Sequence, residues 1–282
     1  MAPFQLIPSP MPRGRIAPTP TGLLHVGHAQ TFAIAAQNAS LDGLVMRIED
    51  LDAARCHPEF VQAAIDDLRW LGIEWTEGPD VGGPHEPYCQ SQRIDWYLEI
   101  WKRLEASGVI YPSPHSRKDV ADAAVAPHAE SEMFPASLRP QSWDRASEPG
   151  TVPWRFKVPD GRTITFEDAR YGTICRTAGV DFGDFVIWRR DDLPSYELAV
   201  VADDYAMGVQ EVVRGEDLLT STARQLLLYE SLQWQPPTWC HTPLVCNAQG
   251  HRLAKRADGL SIRELRQAGM SPEQVLAIRQ MP

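Results

Sequence analysis

The chain has 282 residues, of which 43% are hydrophobic, and its formal net charge at pH 7 is −10. A chain of this length and composition can bury a large core, so a globular protein with one large or two modest domains is expected. The net negative charge argues against a broad surface that binds any polyanion. Local basic patches can still occur on a protein with this net charge. Basic residues are concentrated near the C-terminus: Arg252, Lys255, Arg256, Arg263 and Arg266.

The N-terminus and the cysteines indicate the compartment. Residues 1–12 are rich in proline and lack a basic region followed by an apolar stretch, so neither a signal peptide nor a membrane span is predicted. The five cysteines are scattered and never spaced Cys-x-x-Cys, which favours reduced thiols over a disulfide framework. A cytoplasmic protein without membrane contact is expected.

The first 110 residues show the pattern of a βαβ unit followed by helices. Pro58 suits a first helical position, Gly72 suits a helix stop and Gly108 suits a C-terminal cap. The predicted strands are residues 13–17 and 44–48, and the predicted helices are residues 29–40, 58–71 and 91–107.

The pattern changes at Tyr111 to proline, polar residues and short β-like runs, which predict an inserted α+β segment over residues 111–183. A parallel sheet is then predicted to resume with strands over 185–188 and 198–201, because unbroken apolar runs are typical of strands buried on both faces. A helix over 218–232 and short capped helices after Ser261 and Ser271 complete the chain. The predicted units are residues 1–110, 111–183, 184–245 and 246–282.

Two separated motifs point to a nucleotide. His25-Val26-Gly27-His28 precedes a predicted helix, where free backbone N–H groups and the positive end of the helix dipole attract phosphate. Much later, residues 251–256 form a basic loop that contains Lys255 and is predicted to close on the same phosphates. Either motif alone is weak, but both in this order predict an ATP site.

Three further blocks, at residues 47–52, 195–204 and 212–219, accompany these motifs. Together they resemble the catalytic core of the class I aminoacyl-tRNA synthetases, and of glutamyl-tRNA synthetases in particular, from about Arg13 to the last residue. Glutaminyl relatives typically carry Pro-Pro-Glu-Pro where this chain has residues 17–20, which favours glutamate. The resemblance implies an α/β fold with the Rossmann-type doubly wound parallel sheet of class I synthetases and a short helical C-terminal segment.

Full glutamyl-tRNA synthetases continue past the lysine loop with a helical anticodon-binding region, whereas this chain ends soon after Lys255. The shortened form resembles the glutamyl-Q tRNA(Asp) synthetases, paralogues that attach glutamate to the queuosine base in the anticodon of tRNA(Asp). This resemblance implies a monomer whose inserted segment grips that anticodon stem-loop. Two alternatives stay open: a truncated glutamyl-tRNA synthetase that charges the 3′ end of tRNA(Glu), and a non-catalytic synthetase-like regulator that binds glutamate or tRNA.

Glutamate has two carboxylates and one ammonium, so a selective pocket needs two cationic partners and one anionic partner. By resemblance, Arg15 and Arg214 pair with the carboxylates, Glu49 takes the ammonium and Tyr196 donates a hydrogen bond. The same resemblance places Ala17 and Thr19 at the pocket wall. It assigns ATP, accompanied by Mg²⁺ held largely by the phosphates, to His25, Gly27, His28 and Lys255. Among these, His25, His28 and Lys255 are expected to stabilise charge in the transition state.

Two departures from the family pattern follow. Many glutamyl-Q synthetases bind zinc in the inserted segment, but the ligand positions here are Ser113, His115, Phe134 and Leu138. Only His115 is a competent ligand, so no structural zinc is predicted. In the lysine loop, which is Lys-Met-Ser-Lys-Ser in the family, Arg252 replaces the first lysine and Ala254 replaces the serine.

Overall fold

The computed structural model describes residues 12–40, 43–115, 119, 133–245 and 261–278. The predictions for Arg252, Ala254 and Lys255 lie outside the described residues and stay predictions.

The secondary structure alternates between strands and helices. The strands are β1 (Gly14–Ile16), β2 (Leu44–Met46), β3 (Ile110–Pro112), β4 (Trp154–Phe156), β5 (Thr163–Asp168), β6 (Gly172–Thr177), β7 (Phe185–Trp188), β8 (Glu211–Gly215) and β9 (Thr238–Thr242). The helices are α1 (Val26–Asn38), α2 (Pro58–Trp70), α3 (Ile94–Ser107), α4 (Tyr196–Ala206), α5 (Leu219–Leu232), α6 (Ile262–Gln267) and α7 (Pro272–Ala277).

Four parallel strands lie side by side in the order β9, β8, β1 and β2. Strands β1 and β2 pair in parallel, as do β8 and β9. Strand β8 adjoins β1 because the N–H groups of Gln210 and Glu211 donate to the carbonyl of Arg13, at 2.8 and 3.1 Å. The carboxyl ends of all four strands therefore meet at one edge, which is where open α/β sheets bind their ligands.

The segment between the two halves of this sheet forms its own antiparallel pairings. Strand β4 pairs with β3 on one side and with β7 on the other. Strands β5 and β6 form an antiparallel hairpin, and β5 also meets β9 in parallel where Asp168 faces Trp239. The hairpin of the inserted segment is thereby joined directly to the parallel sheet.

Two predictions for the second half of the sheet are wrong. Residues 198–201, predicted as a strand, belong to helix α4, which is buried from Glu197 to Asp204. A helix surrounded by protein is apolar on all sides, so its sequence shows no amphipathic period that would distinguish it from a buried strand. Residues 185–188 do form a strand, but it pairs with β4 in the antiparallel sheet. The parallel sheet resumes instead with β8 and β9.

The predictions that depended on caps and stops are confirmed. Helix α2 begins at Pro58, and α3 ends at Gly108, whose φ of +75° is the left-handed conformation that glycine adopts readily. Ser261 and Ser271 cap α6 and α7 through the predicted boxes with Glu264 and Gln274. Helix α1 begins at Val26, three residues earlier than predicted, because His25 itself acts as the N-cap.

Two hydrophobic cores hold the parallel sheet in place. One packs β1 and β2 against α1, α2 and the C-terminal helices, around residues such as Ile16, Met46 and Leu68. The other packs α3, α4 and α5 against the strands of the inserted segment, around Trp101 and Trp154. Within the described ranges, no helix is both long enough and apolar enough to cross a membrane.

Candidate active site

A cavity of about 590 Å³ opens at the carboxyl edge of the parallel strands. It brings together every predicted site residue that the structure describes. These residues are Arg15, Ala17, Thr19, His25, Gly27, His28, Glu49, Tyr196 and Arg214. Arg15 lies on β1, with Ala17 and Thr19 just after it, while Glu49 follows β2 and Arg214 lies on β8. The parallel order of the strands thus carries three distant blocks to one place.

His25 and His28 form the first turn of α1 and use their side chains as caps. The Nδ1 atom of His25 accepts a hydrogen bond from the backbone N–H of Gly27 at 3.1 Å, and the Nδ1 atom of His28 accepts from the N–H of His25 at 3.2 Å. A neutral imidazole that accepts at Nδ1 carries its proton on Nε2. When neutral, both rings are therefore Nε2–H donors; their centroids lie 3.8 Å apart and their planes are tilted by 30°.

Gly27 provides the space that this arrangement needs. A Cβ atom at Gly27 would lie 3.0 Å from Cε1 and 3.2 Å from Nδ1 of His25. A larger residue would force the imidazole to shift by a few tenths of an ångström from its capping position, so the arrangement favours glycine here.

Arg15 is a buried cation whose charge is only partly balanced by a nearby carboxylate. It is only 5% exposed, and its Nη1 donates to the carbonyl of Val213 at 2.7 Å. Its Nε has no hydrogen-bond partner among the described residues, and the nearest carboxylate, that of Asp204, lies 3.8 Å away. Burial lowers the pKa of Arg15 despite Asp204. An anionic ligand in the cavity would therefore relieve an existing electrostatic cost.

Glu49 is anchored from below by Arg47, which is completely buried. Arg47 Nη2 lies 3.1 Å from Glu49 Oε1, and its Nη1 lies 2.6 Å from Asp204 Oδ1. Burial raises the pKa of Glu49, while Arg47 and Arg15 oppose that shift. Glu49 is thus an acidic group in a cavity wall that also contains Arg15 and Arg214. Sequence reasoning assigned no role to Arg47 or Asp204, although a charge inside the apolar run 44–48 was an available signal.

Arg214 projects from β8 and is 5% exposed. Its Nη2 donates to Thr222 Oγ1 at 2.7 Å, and its Nε donates to His241 Nε2 at 3.3 Å. Neither acceptor carries a negative charge when the imidazole is neutral. The guanidinium is therefore held in orientation while its positive charge stays available.

Tyr196 is the first residue of α4 and follows Ser195, whose hydroxyl caps the helix by accepting from the N–H of Leu198 at 3.3 Å. Burial raises the pKa of Tyr196 to about 12, with Arg214 acting in the opposite direction. The phenol is therefore protonated near neutral pH and able to donate a hydrogen bond into the cavity.

The cavity extends beyond the predicted residues along a second wall. Sequence reasoning assigned no role to its members, of which two lie on α1 and the others follow β8 and β9, which were not predicted as strands. They include Thr31, Phe32, Asp217, Leu218, Pro243, Leu244 and Val245. Val245 and Ser261 flank the segment that contains Lys255, and Ser261 forms a backbone bridge with His25.

The four zinc-ligand positions lie close together in the inserted segment. Ser113 Oγ lies 3.4 Å from His115 Nδ1, and the His115 ring contacts Phe134 edge-on with centroids 5.9 Å apart. Phe134 packs on Tyr111, with Leu138 against the same cluster. The guanidinium of Arg155 lies 4.1 Å from the Phe134 ring centre. These side chains do not fit a zinc site, since Phe134 and Leu138 provide no ligand atoms.

The chain matches the profile of the family described as tRNA synthetases class I (E and Q), catalytic domain, over residues 12–280. It belongs to this family and is a ligase-type enzyme. Solved structures agree with this assignment. The glutamate-tRNA synthetase of Elizabethkingia anophelis aligns with a TM-score of 0.70 and 27% identity, covering 91% of this chain and 53% of that one. The methionyl-tRNA synthetase of Mycobacterium tuberculosis aligns at 0.54 with 12% identity, covering 93% and 62%, which supports the Rossmann-type class I fold alone.

Within the family, the chain is similar to proteins named glutamyl-Q tRNA(Asp) synthetase. The protein of this name from Symbiobacterium thermophilum is 45% identical, covering 93% of this chain and 84% of the relative. That from Nitratidesulfovibrio vulgaris is 43% identical, covering 92% and 82%. The glutamate–tRNA ligase of Sulfurihydrogenibium sp. is 38% identical, and this chain spans 94% of its own length but 57% of that ligase.

Proposed function

We propose that the protein activates L-glutamate with ATP and transfers it to the queuosine base in the anticodon of tRNA(Asp). The observation that carries this proposal is the joint presence of Arg15, Arg214 and Glu49 in one cavity, beside two histidines at the N-terminus of α1. The charges of the pocket complement those of glutamate, and the helix terminus suits the phosphates of ATP.

In this proposal the two arginines bind the two carboxylates of glutamate. Among the described residues, Arg15 Nε has no hydrogen-bond partner and lies 3.8 Å from Asp204, while Arg214 is held by neutral acceptors, so both retain positive charge for the ligand. Glu49 binds the ammonium and Tyr196 donates from its protonated phenol, while Ala17 and Thr19 limit the size of the pocket. Burial strengthens the interactions of the two arginines, each 5% exposed, because little water competes for them.

The phosphates of ATP would lie at the N-terminus of α1, against Gly27 and the Nε2–H groups of His25 and His28. The helix dipole and these donors favour the charge that develops on the phosphates. Pro243, Leu244 and Val245 offer an apolar wall for the adenine. Val245 lines the cavity, Ser261 forms a backbone bridge with His25, and the two residues flank the segment with Lys255, so we propose that Lys255 adds a cation to the phosphates. Mg²⁺ would be bound mainly by ATP itself.

The first reaction is attack of a glutamate carboxylate oxygen on the α-phosphorus of ATP. The bond between the α-phosphorus and the bridging oxygen breaks, pyrophosphate leaves, and glutamyl-adenylate forms. In the second reaction, a hydroxyl of the queuosine ring attacks the activated carbonyl and AMP leaves. The residues proposed here act by binding and by stabilising charge, because the first step requires no proton transfer.

The choice of acceptor rests on similarity. Three relatives with the glutamyl-Q name share 45%, 43% and 40% identity with this chain, whereas five glutamate–tRNA ligases share 38–40%. We propose that residues 111–183 contact the anticodon stem-loop, between catalytic halves at 1–110 and 184–245. We propose residues 246–282 as the last unit of the chain. We also propose that the protein acts as a monomer. Charging of the 3′ end of tRNA(Glu) is the second candidate, favoured by those ligases.

One experiment tests this proposal. The protein is incubated with ATP, labelled glutamate and tRNA(Asp) that either contains or lacks queuosine, with tRNA(Glu) as the comparison. Label on queuosine-containing tRNA(Asp) alone is the expected result. Label on tRNA(Glu) alone would establish the second candidate instead. Pyrophosphate exchange supported by glutamine but not by glutamate would overturn the assignment of the pocket.

A further inference from the structure

His241 and Asp168 form a buried pair that the proposed reaction does not use. Their side chains are both 0% exposed, and His241 Nδ1 lies 2.7 Å from Asp168 Oδ2. The same carboxylate oxygen accepts from the backbone N–H of His241 at 3.0 Å. His241 belongs to β9 of the parallel sheet, whereas Asp168 ends β5 in the inserted segment, so the pair joins two parts of the chain.

The carboxylate of Asp168 is ionised and fixed on both sides. Its Oδ1 accepts from the backbone N–H groups of Arg170 and Tyr171, at 3.0 and 2.9 Å. Burial alone would raise the pKa of Asp168, but the hydrogen bonds from His241 and from these N–H groups outweigh it and lower the pKa. An ionised carboxylate only accepts hydrogen bonds, so the neutral imidazole of His241 carries its proton on Nδ1.

This tautomer leaves Nε2 of His241 as an acceptor, and Nε2 faces Arg214, which is proposed to bind glutamate. Arg214 Nε donates to it at 3.3 Å, while Arg214 Nη2 donates to Thr222 Oγ1 at 2.7 Å. Burial lowers the pKa of His241, and the nearby charge of Arg214 lowers it further although Asp168 opposes them. A neutral acceptor fixes the guanidinium without cancelling its charge. A carboxylate in direct contact would fix it equally well but would compete with an anionic ligand.

We propose that Asp168 and His241 are positioning residues that orient Arg214 for the carboxylate of glutamate. Asp168 sets the tautomer of His241, and His241 sets the orientation of the guanidinium. The inference rests on the proposed role of Arg214 in binding glutamate. Its consequence is that a residue of the inserted segment, otherwise proposed to contact RNA, acts on the activation of glutamate, the step that precedes transfer to RNA.

Three variants separate positioning from simple packing. His241→Gln keeps an acceptor near Arg214 Nε, and His241→Met has similar length without one. Asp168→Asn presents an amide N–H group either to His241 or to the N–H groups of Arg170 and Tyr171, so it disrupts the arrangement in both orientations. Pyrophosphate exchange without RNA is measured for each variant, giving kcat and separate KM values for glutamate and ATP, together with the thermal unfolding midpoint.

We expect His241→Met to raise the KM for glutamate about 10- to 100-fold, as for the loss of a hydrogen bond to a charged group. The KM for ATP should change less than about threefold, and His241→Gln should recover most of the loss. Asp168→Asn should raise the KM for glutamate about tenfold. Equal KM values for the Gln and Met variants would overturn the inference. If the Met variant does not fold, an unchanged KM for glutamate in Asp168→Asn would overturn it. A wild-type protein that does not exchange with glutamate would instead reject the proposed function.

Discussion

Arg47 and Asp204 form a buried ion pair beneath the cavity, with Arg47 Nη1 2.6 Å from Asp204 Oδ1. Arg47 also contacts Glu49 at 3.1 Å, and Asp204 lies 3.8 Å from Arg15. One pair therefore connects two residues that are proposed to bind opposite charges of the same substrate. It balances the charges of the cavity floor, which burial would otherwise make costly.

Removing Arg47 should destabilise the fold strongly. Arg47→Met leaves Asp204 and Glu49 buried with less compensation, and the expected loss is about 3–5 kcal/mol in the free energy of unfolding. Arg55→Met is the matched control, because Arg55 pairs with Asp52 at the surface and its side chain is 64% exposed. That control should cost less than about 1 kcal/mol. Urea unfolding measures both, and similar losses would contradict the assigned role of Arg47.

Glu49→Gln should weaken glutamate binding selectively. The amide keeps the shape but loses the charge that faces the ammonium, so the KM for glutamate in pyrophosphate exchange should rise about 10- to 100-fold. The KM for ATP should stay within about threefold. Glu74→Gln, at an exposed position, serves as the control. Equal changes in both KM values would show that Glu49 does not act on the amino acid alone.

The two roles of His25 can be separated by substitution. Asparagine is a good N-cap, so His25→Asn should keep helix α1 and change the free energy of unfolding by less than about 0.5 kcal/mol. It lacks the Nε2–H donor, and activation should fall about 10²- to 10³-fold. His25→Ala should lose the same activity and about 1 kcal/mol of stability as well. Exchange rates and urea unfolding measure the two effects, and full activity in His25→Asn would exclude the catalytic role.

Protonation of His241 should destabilise the fold in mild acid. The charged groups that face it are Asp168 from β5, Arg214 from β8, Arg15 from β1 and Glu216, which follows β8. Burial lowers the pKa of His241 from its usual 6.5, so near that pH the unfolded chain binds a proton that the folded protein does not. The free energy of unfolding therefore falls as the pH drops below about 6.5.

Lowering the pH from 7 to 5.5 should cost up to about 1 kcal/mol through this histidine alone. Urea unfolding of the wild type and of His241→Gln at both pH values isolates the effect, because the other titrating groups are common to the two proteins. The same pH dependence in both would show that His241 does not contribute.

The protein should purify without zinc. Phe134 and Leu138 occupy two of the four ligand positions and pack with Tyr111, so the cluster is expected to be stabilised by burial rather than by a metal. Elemental analysis should find much less than one zinc per chain, and a chelator should leave the unfolding midpoint unchanged. Stoichiometric zinc in protein purified without added metal would disprove this prediction.

The sequence was sufficient for features encoded within a few residues. Helix caps and stops at Pro58, Gly108, Ser261 and Ser271 lie where they were predicted, because the groups that satisfy a helix end are close neighbours in the chain. The residues predicted to bind glutamate likewise line one cavity, since motifs at the ends of parallel strands converge whatever the details of the segments between them.

Only the tertiary structure decided which distant residues meet and which apolar runs become helices. Residues 198–201 read equally well as a buried strand or a buried helix, and their packing among α3, β7 and α5 made them helical. His241 contacts Asp168 across 73 positions and Arg214 across 27 positions. No local pattern marks such a contact, because its formation depends on the order of strands in the sheets. The sequence thus determined which residue types line the cavity, and the packing of β5, β8 and β9 determined how Arg214, which is proposed to bind glutamate, is held.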